Sequence, residues 1–273
     1  MNTHNLSTIL FPLIIGIILV TNSVAAGDTH TVCKTCQLDS IQQAIEQARD
    51  GDVISIESGT YHEEITLDQS LILVGEGPDA VTLKGGNNGR PVLYIGPSAI
   101  DAQVGGLTIQ EAGGATCQEF SRGMCPNGIT VAGRAKVELS SLRVRDNSGD
   151  GILLTSFAQA TLQDCRISQN ADGIVLKGGS SAAIKNSTVS NHIVNVLVRG
   201  SSRVSLQDNF IYGAFIYGVA ASVAECGFRD AQQTFTGQIS GGRNRFTDNG
   251  ELHWCPQKLS FLKTEDGGSF TSE

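Results

Sequence analysis

Three aspartates and two arginines lie within thirty residues of one another and suit acid–base chemistry on an acidic sugar. They are Asp146, Asp150, Asp172, Arg143 and Arg145. A carboxylate can remove the proton beside a uronic carboxylate, and a cation, either arginine or Ca²⁺, stabilises the charge that then develops. The oxygens of the three aspartates also suit Ca²⁺. Aspartate is common at bends because it bonds local backbone, so a purely structural role stays open.

A second group of residues suits binding. If alternate residues of one strand point into a core, Arg143 and Arg145 point outward together. The repeat described next continues this outward column through Arg166 and ends it at Phe210 and Tyr212. Arginine pairs with carboxylates and aromatic faces stack on sugar rings. The column predicts a binding surface for an acidic polysaccharide, and an ordinary solvated face is the alternative.

A repeat of 22–23 residues positions all of these side chains. Short apolar strands begin at Gly128, Gly151, Gly173, Asn195 and Gly218, at intervals of 23, 22, 22 and 23 residues. Apolar alternation within each strand indicates one buried face. Further inward columns keep the same register: Leu139, Leu162, Ile184 and Leu206; Leu142, Cys165, Ser187 and Asn209; Val144, Ile167, Val189 and Ile211.

Such a register predicts an all-β fold, a single-stranded right-handed parallel β-helix in which each turn stacks on the next. The intervals are too short for helical crossovers. We expect an N-terminal cap over 27–60 with a short capping helix at Ile41–Arg49, β-helix turns over 61–222, and an irregular last turn and tail over 223–273. Removing a loop insertion at 115–126 restores the 23-residue interval upstream.

One outward column, at Leu153, Val175 and Leu197, is apolar and needs a cover. The C-terminal stretch is predicted to supply it. Its apolar residues are Leu252, Trp254, Leu259, Phe261 and Leu262.

Seven cysteines in an exported chain favour disulfides. We predict the bridges Cys33–Cys36, Cys117–Cys125 and Cys226–Cys255. Cys165 is then left over as a buried free thiol. A redox pair or half of a zinc site at 33–36 is the alternative, but no second Cys-x-x-Cys completes it.

The first 26 residues contain no charged residue and hold a twelve-residue apolar run followed by small residues. This pattern predicts a signal peptide over 1–26, and a retained membrane anchor is the alternative. We therefore expect a secreted, periplasmic or cell-envelope protein without a later membrane span. A net charge of −8 argues against nucleic acid as a partner. The sequence carries no signal for an oligomeric state.

Several segments resemble the opening of pectin-lyase-like β-helix proteins, a superfamily that includes pectin esterases and the periplasmic NosD-like proteins. Asn-Ala-Asp-Gly-Ile at 170–174 is similar to their generic repeats. The resemblance implies the fold and an acidic polysaccharide as partner. The segments are Ser-Ile-Gln-Gln-Ala-Ile at 40–45, Asp-Gly-Asp-Val-Ile at 50–54, Gly-Thr-Tyr-His-Glu at 59–63 and Leu-Ile-Leu-Val-Gly-Glu-Gly at 71–77.

The catalytic motifs of the esterases, polygalacturonases and alginate epimerases of this superfamily are not found in the sequence. Their absence favours binding of an acidic polysaccharide without a complete catalytic set. Two alternatives stay open. One is a non-enzymatic rod at the cell surface, and the other is a minimal Ca²⁺-dependent polysaccharide lyase or epimerase.

Overall fold

The structure is a computed structural model that describes residues 27–114, 125–228, 235–250 and 252–271. The predicted signal peptide, Cys117 and nearly all of the predicted insertion lie outside these residues. No helix in the described ranges is long and apolar enough to cross a bilayer.

The described strands form three sheets, and each turn of the coil contributes one strand to sheet A, then to sheet B, then to sheet C. All neighbouring strands are parallel except the last pair of sheet A, which confirms the predicted parallel β-helix. Sheet A contains Thr29–Val32, Val53–Ile56, Ile72–Gly75, Ala102–Gly105, Lys136–Ser140, Gln159–Gln163, Ser181–Lys185, Arg203–Gln207, Gln238–Gly242 and Gly268–Phe270. Sheet B contains Gly59–Tyr61, Val81–Lys84, Thr108–Gln110, Arg143–Arg145, Arg166–Ser168, Thr188–Ser190, Phe210–Tyr212 and Arg245–Thr247. Sheet C contains Ile65–Leu67, Leu93–Ile95, Ile129–Val131, Ile152–Leu154, Ile174–Leu176, Val194–Val198, Tyr217–Ala221 and Leu252–Cys255.

The strand register is the one that the repeat predicts. Leu139 pairs with Leu162, which pairs with Ile184, and all three are buried in the core. Upstream, Leu139 also pairs with Val104, so the coil keeps its register across the insertion. The segment predicted as an irregular last turn contributes one further strand to each sheet.

The bend between sheets A and B is short and uses left-handed backbone. Asp164, Asn186 and Asp208 have φ values of 55°, 47° and 57°, a region that aspartate and asparagine tolerate better than most residues. The residue after each of them points inward and bonds the next turn. The amide of Cys165 donates to Ser187 Oγ at 3.1 Å, and the amide of Ser187 donates to Asn209 Oδ1 at 3.0 Å.

A second ladder runs along the bend between sheets B and C. The amide of Asn147 donates to Asn170 Oδ1 at 3.1 Å, and the amide of Asn170 donates to His192 Nδ1 at 3.1 Å. An amide nitrogen can only donate, so Nδ1 accepts and the imidazole proton lies on Nε2, 3.2 Å from the Ile167 carbonyl oxygen. This buried polar stack needs a neutral histidine. The sequence placed His192 in the asparagine column, and the structure confirms that position.

The N-terminal helix spans Ile41–Gln47, two residues shorter than predicted, with Ser40 as its N-cap. Glu63 accepts from the amides of Ile41 and Gln42 at 3.0 Å each, and so satisfies two donors that the helix start leaves open. Tied to the first turn in this way, the helix buries Ile41, Ala44 and Ile45 and covers the open end of the core.

The cover predicted for the apolar column was wrong in its residues. Leu153, Val175 and Leu197 are buried, and Val223 and Phe228 pack in the same cluster, which includes both cysteines of the second bridge. Leu259 and Leu262, from the 3₁₀ helix Gln257–Lys263, belong instead to the main core, against which Trp254 and Phe261 also pack. The chain that follows sheet C reaches the column first, so the later residues are left to close the C-terminal end.

The predicted bridges Cys33–Cys36 and Cys226–Cys255 are confirmed. Cys165 is a buried free thiol, as predicted, and burial raises its pKa to about 11 because it disfavours the thiolate. At neutral pH this thiol is protonated and unreactive. It acts as a small core residue.

His192 predicts an acid-sensitive fold. An unfolded histidine has a pKa of about 6.5, and burial lowers the pKa of His192 in the folded coil. The stability that neutral His192 contributes is therefore complete above about pH 6.5 and is lost as the pH falls toward the lower folded-state value. His192→Asn supplies the same acceptor without a titrating group and should flatten this acid loss in urea unfolding. The exposed control, His62→Asn, should keep the wild-type loss; equal acid loss in His192→Asn and wild type would contradict the assignment.

Candidate functional site

The outward column of sheet B is arranged as the sequence predicts. In the strand register, Arg143 lies beside Arg166, which lies beside Thr188, and Phe210 and Arg245 follow. The residues that alternate with them along the strands are Val144, Ile167, Val189 and Ile211, and all four are fully buried. The core thus holds the backbone of this face, and the five side chains project outward along the coil axis.

Two of the predicted arginines are already paired with carboxylates. Arg143 Nη1 lies 2.7 Å from Asp79 Oδ1, and Arg145 Nη1 lies 2.8 Å from Asp146 Oδ2. Asp79 is 87% exposed, so its pair with Arg143 is a surface ion pair, worth about 0–1 kcal/mol. An anionic ligand can displace it.

Arg143 also lines a cleft of about 350 Å³ at the edge between sheets A and B. Arg166 and Asp164 line the same cleft, together with Asp79. Arg166 is exposed and forms no ion pair within the part of the chain that the structure describes. Two guanidinium groups on neighbouring turns therefore share one opening to solvent.

Aromatic side chains lie further along the same face. The rings of Phe210 and Tyr212 stack with their centroids 4.5 Å apart. The guanidinium of Arg245 lies 4.8 Å from the Phe210 ring centroid, which is a cation–π contact. The sequence prediction missed Arg245 because 35 residues, rather than 22 or 23, separate it from Phe210.

The three candidate aspartates do not form one group. Asp146 is exposed, lies at a left-handed bend and pairs with Arg145. Asp150 and Asp172 lie on successive turns at the start of sheet C strands and interact electrostatically. Among the described residues, the only three potential metal ligands with atoms within 4.8 Å of one another are Cys33, Cys36 and Glu57, and the two cysteines form a disulfide.

Asp150 has a strongly perturbed acidity. Burial, with the negative charge of Asp172 as the next cause, raises the pKa of Asp150 to about 7. Burial also raises the pKa of Asp172, although its Oδ1 accepts a hydrogen bond from the Val194 amide at 3.0 Å. Lys177 and Arg199 oppose the shift of Asp150. The cations near this pair are thus Lys177 and Arg199, which the sequence prediction missed, and not Arg143 and Arg145.

Comparisons with known proteins bear on the fold. Residues 127–253 match a family described as right handed beta helix region. No curated protein matches the chain. The pectin methylesterase of Aspergillus niger superposes with a TM-score of 0.53 at 15% identity, and the match covers 84% of this chain and 87% of that one.

Two bacterial enzymes are less similar. An alginate lyase from a Paenibacillus species gives a TM-score of 0.48 at 14% identity and covers 83% of this chain and 99% of its own. A pectin methylesterase from Erwinia chrysanthemi gives 0.48 at 11% identity and covers 89% and 97%. At these identities the likeness concerns the fold. The chain has the right-handed parallel β-helix fold of the pectin-lyase-like superfamily.

The Asp150 environment predicts a stability that falls with rising pH. Because the pKa of Asp150 is raised from 3.8 to about 7, the unfolded chain loses this proton first. The stability that it contributes is complete below about pH 4 and is lost by about pH 7, by an amount on the order of a few kcal/mol. Asp150→Asn should therefore be more stable than wild type at neutral pH, as measured by urea unfolding.

A matched control is Asp146→Asn, which changes an exposed carboxylate at the preceding bend. It should keep the pH dependence of the wild type. An Asp150→Asn variant whose stability falls between pH 4 and 7 as steeply as that of wild type would show that Asp150 is an ordinary surface acid.

Proposed function

We propose that this protein is exported and binds an acidic polysaccharide along the outer face of sheet B. The disulfides and the predicted signal peptide support a secreted or cell-envelope location. The observation that carries the binding proposal is the single column that Arg143, Arg166, Phe210 and Arg245 form on successive turns.

Charge supports an anionic ligand at this face and nowhere near uniformly over the molecule. The chain has a net charge of −8, so its average surface repels polyanions. Attraction then depends on the local cations of sheet B, of which Arg166 and Arg245 are exposed. The guanidinium fork bonds carboxylates with two donors, which gives both affinity and direction.

Shape supports a polymer. The column runs along the axis of the coil with a rung spacing of about 4.8 Å, so its contacts suit a chain with many equivalent units. The stacked rings of Phe210 and Tyr212 offer a flat apolar surface of the kind that packs on the face of a sugar. A short anion would use only one guanidinium and none of the rings.

Affinity electrophoresis in gels containing pectate or alginate tests the proposal. Wild-type protein should be retarded by at least one uronan, and added salt should weaken the retardation because the contacts are ionic. Arg166→Gln should weaken binding about tenfold, the size of one charge-assisted hydrogen bond. Arg203→Gln, an exposed arginine of sheet A, should bind as wild type. Equal loss from both variants would mean that net charge alone drives retention.

A third variant tests the role of the ion pair at Arg143. Asp79→Asn removes the carboxylate that competes for this guanidinium and should increase retardation. No retardation of any variant on any uronan would instead favour the rod alternative, in which the coil has a purely structural role.

A second candidate function rests on Asp150 and Asp172. A carboxyl with a pKa of about 7 exchanges protons readily at neutral pH. With Lys177 and Arg199 near it, the pair has the base and the cation that a polysaccharide lyase or epimerase requires. The base would take the C5 proton of a uronate. A lyase then expels the glycosidic oxygen at C4 as the C4–C5 double bond forms, whereas an epimerase returns a proton to the other face.

Ultraviolet absorbance of unsaturated product tests this candidate. A lyase should generate signal from pectate or alginate, and Asp150→Asn should abolish it while leaving gel retardation unchanged, because sheet B lies on a different face. Activity that survives Asp150→Asn would exclude this pair as the catalytic group. Parallel assays with Ca²⁺ and with chelator show whether the reaction uses the ion.

A further inference from the structure

The cations on the outer face of sheet B are not equivalent. Lys84, Arg143 and Arg145 each form an ion pair with a carboxylate. Arg166 and Arg245 form none within the described ranges, and Arg245 has only the aromatic contact with Phe210. An incoming polyanion therefore meets two unpaired guanidinium groups.

These two arginines belong to one column and are separated by a fixed distance. Arg166 pairs with Thr188, Thr188 with Phe210, and Phe210 with Arg245. Three rung intervals of about 4.8 Å place the two positions about 14 Å apart along the coil axis. Thr188 and Phe210 lie between them, with a hydroxyl and an aromatic face that a sugar can contact without a charge. The parallel ladder fixes this spacing, so a ligand must match it.

We infer, on the basis of the proposed function, that this face recognises a uronan with a threefold screw, such as a galacturonan, through two carboxylates three units apart. In an extended uronan each sugar advances by nearly one rung, so carboxylates that reach Arg166 and Arg245 belong to the first and fourth of four units. A threefold screw turns those two carboxylates to the same side. A twofold screw, as in mannuronan, turns them to opposite sides and leaves one arginine without a partner.

The Phe210 ring lies one rung before Arg245, so it contacts the third unit of this tetramer. Arg245 holds its guanidinium over the same ring, 4.8 Å from the centroid, and this contact positions the cation. The inference thus assigns Arg245 and Phe210 a joint role in selecting ligand length.

Calorimetric titration with galacturonate oligomers of three, four and five units tests this inference. Wild-type affinity should rise about tenfold from trimer to tetramer, as one charge-assisted contact is added, and only slightly from tetramer to pentamer. Arg245→Gln should remove the rise and leave trimer affinity unchanged. Arg203→Gln should keep the rise. Mannuronate tetramer should bind no better than galacturonate trimer.

The outcomes separate this inference from the proposed function. Binding that grows smoothly with length, a rise that survives Arg245→Gln, or an equal rise with mannuronate would overturn the length and screw assignment while leaving uronan binding intact. No binding of any uronan, whether oligomer or polymer, would overturn both.

Discussion

A parallel coil buries its side chains only if every turn keeps the register of the turn before it. A slip of one residue would send an inward row such as Leu139, Leu162 and Ile184 to the outside. Each of these buried side chains contributes about 1.5–3 kcal/mol, and the loss would extend over every later turn. The two bends carry hydrogen bonds from turn to turn, through Ser187 at one and Asn170 at the other. These ladders hold the register where the sheets change direction.

This constraint separates the residues that make the fold from those that are free to act. Positions inside the coil are apolar or belong to a satisfied polar ladder, and even the titratable Cys165 and His192 are confined to uncharged forms at neutral pH. The outer face of sheet B has no such duty. Its side chains project from backbone whose spacing the core already fixes, so a column of arginine and aromatic residues becomes a rigid array rather than a flexible patch. Pre-organisation of this kind reduces the entropy lost when a ligand binds.

The sequence predicted most of the architecture because the repeat itself is the fold. Columns at intervals of 22–23 residues identified the inward rows, and alternation within a strand identified Arg143 and Arg166 as outward. Prediction failed where the interval changed or where a contact depended on the path of a connection. Arg245 was missed after a long interval, and the ion pair of Arg143 with Asp79 joins residues 64 positions apart. Spacing alone carries no sign of that contact.

The aspartates show the same limit. Asp150 and Asp172 hold equivalent positions in successive turns, so the sequence does place them together. Their perturbed pKa values depend on burial and on Lys177 and Arg199, which are known only once the turns are stacked. The molecule therefore has two distinct surfaces of interest. Sheet B is built to attract a polyanion, and the start of sheet C holds a pair of acids with raised pKa values.

A crystal structure of the protein with a galacturonate tetramer tests the central claim most directly. The account predicts an oligomer parallel to the coil axis on sheet B, with its terminal carboxylates against Arg166 and Arg245 and its third sugar over Phe210. An oligomer that instead crosses the coil, or that lies beside Asp150 and Asp172 with sheet B empty, would contradict it.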